Sequence, residues 1–110
     1  MASPSFLGEF EQMVLLSVLR CGENAYGLEV RRALEATTGR SVSRGAFYTT
    51  LDRLERKGYV RWKLKPAPDE VRGRMPRRHF QLTAAGLRAL RSSRQALLSL
   101  WSGLEQALEP

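Results

Sequence analysis

Residues 43–82 read SRGAFYTTLDRLERKGYVRWKLKPAPDEVRGRMPRRHFQL, and this stretch decides the fold. Ser43 is a residue type that caps helices, offering its hydroxyl to an orphan backbone N–H. Phe47, Leu51 and Leu54 follow at spacings of four and three, which predicts one buried helical face. Arg56 and Lys57 suit the negative end of that helix dipole, and Gly58 supplies the stop. From Tyr59 to Lys65 the period changes to two, with Val60, Trp62 and Leu64 on one face and Arg61, Lys63 and Lys65 on the other. After a segment broken by proline and glycine, Arg77 to Leu82 resumes the alternation. A capped amphipathic helix followed by a cationic two-stranded ribbon is the organisation of a winged helix. The expected class is mainly α with a small β-hairpin, extended by a long C-terminal helix.

Charge sharpens that reading. The chain carries a net charge of +7. Between Arg40 and Arg78 lie 12 of the 18 basic residues and 4 of the 11 acids, a net of +8, so the remainder is −1. Positive charge concentrated on one helix-and-hairpin unit attracts a polyanion, with counterion release from nucleic acid driving the association.

Upstream, a first helix is predicted from about Gly8 to Arg20. Phe10, Met13, Val14, Leu15, Leu16, Val18 and Leu19 leave it almost no polar face, so it needs cover on two sides. A second helix is predicted over Ala25–Thr38, joined to the Ser43 helix through Gly39 to Val42 in a helix-turn-helix arrangement. Thr83 caps a final helix expected to run through Leu108. Leu87, Leu90, Leu97, Trp101, Leu104 and Leu108 give it an apolar seam interrupted by Arg94, and Ser102-Gly103 is expected to weaken it. A helix that long overhangs so small a body, and a second copy of the chain is the simplest cover. Residues 1–82 are therefore expected to form a winged helix-turn-helix DNA-binding domain and residues 83–110 a C-terminal dimerisation helix.

Several classes are disfavoured. No stretch approaches the roughly 20 apolar residues of a membrane span, and the N-terminus has no signal-peptide pattern. Cys21 is the only cysteine and His79 the only histidine, so neither a disulfide nor a Cys/His metal cluster is expected. No glycine-rich phosphate loop or apolar carboxylate pair is present. The expectation is a cytoplasmic protein that is not an enzyme and needs no cofactor or metal.

Three segments resemble the PadR family of bacterial transcriptional regulators. Tyr26-Gly27-Leu28-Glu29-Val30 is similar to the family's His/Tyr-Gly-Tyr-Glu-Leu. Ser43 to Val60 resembles its S-x-G-x-L-Y-x-x-L-x-R-L-E-x-x-G-x-V recognition-helix signature, with Phe47 in place of the usual leucine. Arg78 to Gly86 resembles R-x-Y-x-L-T-x-x-G, with Phe80 in place of tyrosine. The resemblance covers about residues 8–90. It implies a regulator, expected to be a repressor, that binds double-stranded DNA. A single C-terminal helix is similar to the small subfamily, which the resemblance implies is homodimeric.

By helical geometry Arg44, Gly45, Tyr48, Thr49 and Asp52 share the outward face of the Ser43 helix. Arg44 is placed to read a guanine edge, and Gly45 permits close backbone approach. Tyr48 is expected to offer its hydroxyl to a phosphate, a role the resemblance also implies; the alternative is a tyrosine half-buried against the wing. Ser43 and Arg53 join the candidate DNA-binding set, Arg53 as a phosphate contact or a local ion-pair partner. In the wing, Lys63, Arg72, Arg74, Arg77 and Arg78 are candidates for phosphate or minor-groove contact. Asp52 and Glu55 are expected to pair with Arg56 and Lys57, and Trp62 to pack beneath the sheet. The resemblance further implies that Trp101 stacks on a planar aromatic effector between protomers, with Glu105 and Met13 nearby; the alternative is that Trp101 fills a dimer seam. Two rival classes remain at this stage: a winged-helix protein-interaction adaptor, and a sequence-blind nucleic-acid binder.

Overall fold

The computed structural model describes residues 6–66 and 75–109. Helix α1 (Glu9–Cys21) is followed by a short 3-10 turn (Gly22–Asn24), α2 (Gly27–Thr38), α3 (Arg44–Arg56), strands β1 (Val60–Lys65) and β2 (Arg77–Leu82), α4 (Ala84–Trp101) and a last 3-10 turn (Glu105–Leu108). The strands form an antiparallel hairpin with Val60 opposite Leu82 and Trp62 opposite Phe80. This is a winged helix-turn-helix with one further helix.

The core lies where α1, α2 and α3 meet the base of the hairpin. Val14, Leu15, Val30, Leu34, Phe47, Leu51, Leu54 and Val60 are buried there. The α3 periodicity is realised as expected, with Phe47, Leu51 and Leu54 inward and Ser43 Oγ accepting the Ala46 N–H at 3.2 Å. Gly58, at φ 81°, turns the chain from α3 into β1. Thr83 Oγ1 accepts the Gly86 N–H at 3.0 Å, as a cap should, and donates to the Gly58 carbonyl at 2.6 Å. A Cβ on Gly86 would collide with the Tyr59 carbonyl, so glycine allows α4 to seat on the start of the wing.

Three expectations are corrected. Helix α2 begins at Gly27, not Ala25, because Ala25 and Tyr26 are spent on the hairpin. The Ala25 carbonyl accepts the Phe80 N–H at 2.8 Å, and Tyr26 bridges His79 as a fragment of a third strand. Helix α4 ends at Trp101 rather than running through Leu108: Ser102 leaves helical geometry and Gly103 adopts φ 84°. Leu104 and Leu108 are thus off the α4 seam. Trp62 is 37% exposed rather than packed beneath the sheet. The core ends below Val60 and Phe80, so Trp62 and Leu64 overhang it on the same face.

Helix α1 has the two apolar sides anticipated. Val14, Leu15 and Val18 enter the core, while Leu16 and Leu19 remain about half exposed. They face α4, and with Gln12, Leu87, Leu90, Leu97 and the arginines Arg91 and Arg94 they line an open groove of about 520 Å³.

Candidate nucleic-acid interface

The outer face of α3 presents Arg44, Gly45, Thr49, Asp52 and Arg53, all exposed, beside an exposed Ser43. Gly45 has no internal reason to be glycine, because a Cβ there would meet nothing within 4 Å. The space it leaves is open to a partner.

Tyr48 is half-buried, and packing explains it after all. Its hydroxyl lies against Gly27 at the first residue of α2, where any Cβ would collide with it. Its ring meets Phe47 edge-on at 5.2 Å, with Arg44 at 5.6 Å and Arg78 at 5.8 Å from its centroid. Of the two expectations for Tyr48, the structure matches the tyrosine half-buried against the wing, wedged between α2, α3 and the hairpin. Around it, Gly27, Leu28, Leu64, Pro76, Phe80 and both Arg77 and Arg78 line a groove of about 480 Å³ between the recognition helix and the hairpin.

Arg78, one of the residues lining that groove, lies near three aromatic rings. Its guanidinium sits 5.1 Å from the Trp62 ring centroid and 5.9 Å from that of Phe80, as well as near Tyr48. Three aromatic rings within 6 Å favour the cation in this position. On the opposite face of the ribbon Arg61 and Lys63 are exposed.

Arg77, beside it in sequence, points into different chemistry. It pairs with Glu29 of α2 and covers the Tyr26 ring at 4.9 Å. The Tyr26 hydroxyl donates to the Pro66 carbonyl at 2.8 Å, and its ring meets His79 edge-on. This cluster fastens the wing to the start of α2. His79 is a buried strand residue with a ring nitrogen 3.1 Å from the Glu23 carbonyl. Arg72 and Arg74 lie outside the described residues.

Lys57 does not pair with Asp52 or Glu55, as the local spacing suggested. Its ammonium reaches Glu11 of α1 at 2.7 Å. Burial opposes ionisation of Glu11, but the Lys57 hydrogen bond, the Gly8 N–H and the charges of Lys57 and Arg53 outweigh it and lower the carboxyl pKa. The sequence assigns Glu11 and Gly27 no individual role, and Glu29, expected among the solvated residues of the second helix, is instead paired with Arg77. Only Glu11 had a local signal, an acid three residues after a glycine cap position in an otherwise apolar helix.

The three candidate ligand residues lie on different elements. Met13 is half-buried, with its sulfur 3.8 Å from Arg40 Nη1. Trp101 is 40% exposed at the end of α4, and Glu105 sits in the turn beyond it. None of the three lines the α1–α4 groove. Cys21 is a half-buried free thiol whose pKa is raised, first by burial and then by Glu29. Among the described residues no cluster of three or more metal-ligating side chains occurs, and no helix is long and apolar enough to cross a membrane.

A helix-turn-helix that presents an arginine-bearing α3 beside a cationic hairpin is the architecture of a DNA-binding transcription regulator. The chain belongs to the PadR-like family of transcriptional regulators, whose sequence model matches residues 15–92. Members of that family are regulators, not enzymes. Solved structures share the fold. A PadR-like transcriptional regulator from Bacillus cereus superposes with a TM-score of 0.73 at 22% identity, covering 92% of each chain. A Streptococcus transcriptional regulator gives 0.71 at 23% identity, over 89% of this chain and 90% of its own. A complex structure of hsRosR-S1 gives 0.65 at 29% identity, over 88% and 78%. No curated protein matches the sequence significantly.

Proposed function

We propose that the protein is a cytoplasmic homodimeric repressor that binds an inverted-repeat operator in double-stranded DNA. Residues 1–82 supply the DNA-binding part, and residues 83–110 the dimerisation part, now as helix α4 plus a terminal turn. Helix α3 enters the major groove with Arg44 near a base edge and Gly45 and Thr49 against the duplex. Arg53 and Lys63 contact phosphates, and Arg78 meets the backbone where it passes between helix and wing. The observation that supports this reading is the groove shared by Tyr48 and Arg78, with the Arg78 guanidinium 5.8 Å from the Tyr48 ring beside the exposed face of α3. Two such helices in a symmetric dimer would be about 34–36 Å apart, one helical turn of DNA.

The second copy is assigned to the apolar surface of α1 and α4. Leu16, Leu19, Leu87, Leu97 and Leu98 line one groove there and are each more than 40% exposed, an apolar face that a second copy would cover. Trp101, with Glu105 and Met13, is assigned to a site for a planar aromatic effector formed between protomers. An effector there acts by favouring a dimer geometry whose recognition helices no longer match the operator.

The test is selection of duplexes by the purified protein, followed by titration of the enriched sequence against salt. Specific binding that falls steeply with salt supports the proposal. Salt-insensitive or absent binding favours a protein-interaction adaptor, and equal loss on all duplexes in Arg44→Ala favours sequence-blind binding.

A further inference from the structure

The first turn of α1 is a junction where α3 and α4 are tied together by hydrogen bonds that DNA contact does not require. Leu7 is clamped on three sides. Its side chain is buried in the core. Its N–H donates to Oγ of Ser93 at 3.0 Å, a buried serine on the inner face of α4. Its carbonyl accepts from Gln12 Nε2 at 3.1 Å. The next residue, Gly8, donates its N–H to Glu11 Oε1 at 3.0 Å. The other carboxylate oxygen accepts from Lys57 Nζ at 2.7 Å, and Lys57 is the C-terminal cap residue of α3.

Each link restrains the next because hydrogen bonds weaken within a few tenths of an ångström of their optimum. Glu11 is the sole buried acid among the described residues, its side chain only 10% exposed. A buried carboxylate adds little net stability over an apolar side chain, but it fixes geometry when both oxygens are partnered. Ser93 lies between Leu90 and Leu97, which line the α1–α4 groove, so a shift of that helix moves the first link.

We infer that residues 7–11 couple α4 to the C-terminal end of α3, with Ser93 and Lys57 as the two ends of the connection. Displacement of α4 then reaches the recognition helix within one chain, without passing through the hairpin. The inference rests on α3 being the DNA-facing helix and adds the route by which a change at the α4 face alters its position.

Hydrogen exchange on the intact, DNA-free protein tests it. Ser93→Ala leaves the Leu7 N–H unpaired and should speed exchange of the last-turn amides of α3, Leu54 to Gly58, about fivefold, the equivalent of one lost hydrogen bond. Ser92→Ala, on the exposed face of α4, should leave those amides unchanged. Faster exchange confined to residues 6–12 in Ser93→Ala overturns the inference. If that variant loosens the whole chain, Lys57→Met decides, since it removes a half-exposed partner: faster exchange at the Leu7 amide supports coupling, and unchanged exchange overturns it. Affinity for a selected duplex, measured on the same variants, should fall as exchange quickens. Coupled exchange in a protein that binds no duplex would support the connection while overturning the DNA reading.

Discussion

The hydroxyl of Tyr48 occupies the space that a side chain on Gly27 would need. One residue is the first of α2 and the other lies in the second turn of α3, so this contact sets the approach of the two helices beside the wing. Gly27→Ala should force Tyr48 outward and destabilise the protein by about 1–3 kcal/mol, as overpacking does. Urea unfolding of Gly27→Ala, Tyr48→Phe and the double variant measures it. Removing the hydroxyl should recover part of the loss, so a double variant as weak as the sum of the singles would contradict the steric account.

The Glu11–Lys57 pair predicts a pH signature. Glu11 has a folded-state pKa below its ordinary 4.5, so its ionised form is bound more favourably in the folded protein. That stabilisation is fully present above about 4.5 and is lost as pH falls through the lowered folded value. Glu11→Gln should therefore cost about 1–3 kcal/mol at neutral pH and progressively less in acid. Denaturant midpoints measured from pH 7 to pH 3 check this, and a constant difference would contradict it.

Arg44 and Lys63 are expected to fail differently. Arg44→Ala should lose about 1–3 kcal/mol of discrimination at one operator position. Lys63→Ala should weaken all duplexes similarly and reduce the salt slope by about one. Arg77→Ala is the contrast, since its guanidinium is engaged with Glu29 and Tyr26. Its effect should appear in thermal unfolding more than in the salt slope.

The groove between α1 and α4 should be the dimer face. Leu97→Glu places a charge in that apolar surface and should shift the protein to monomer, read by sedimentation. Trp101→Ala should keep the dimer and abolish calorimetric binding of planar aromatic compounds. Retained binding in that variant would remove Trp101 from the effector site.

Much of this was legible in the chain because periodicity and caps are local. Ser43, the spacing of Phe47, Leu51 and Leu54, Gly58 and the alternation of the two strands place α3 and the hairpin without knowledge of anything distant. The cationic segregation pointed to nucleic acid for the same reason. The end of α4 was half legible: Gly103 marked a weak point, but only the backbone itself showed a left-handed turn rather than a continued helix.

What the sequence by itself determined, then, is which elements form, which face of each is apolar, and where the positive charge gathers. Tertiary structure alone decided what lies across from each face. Helical spacing puts Tyr48 at the border of the face formed by Phe47, Leu51 and Leu54, and only the packing shows that Gly27 of another helix receives its hydroxyl. Adjacent arginines 77 and 78 diverge because strand neighbours face opposite sides, one meeting Glu29 and the other three aromatic rings. Lys57 had acids within reach in sequence, but Glu11, 46 residues away, offers a partly buried carboxylate already oriented by Gly8. Side-chain period is a property of one element's own axis, whereas partnership depends on how separate axes are set against one another.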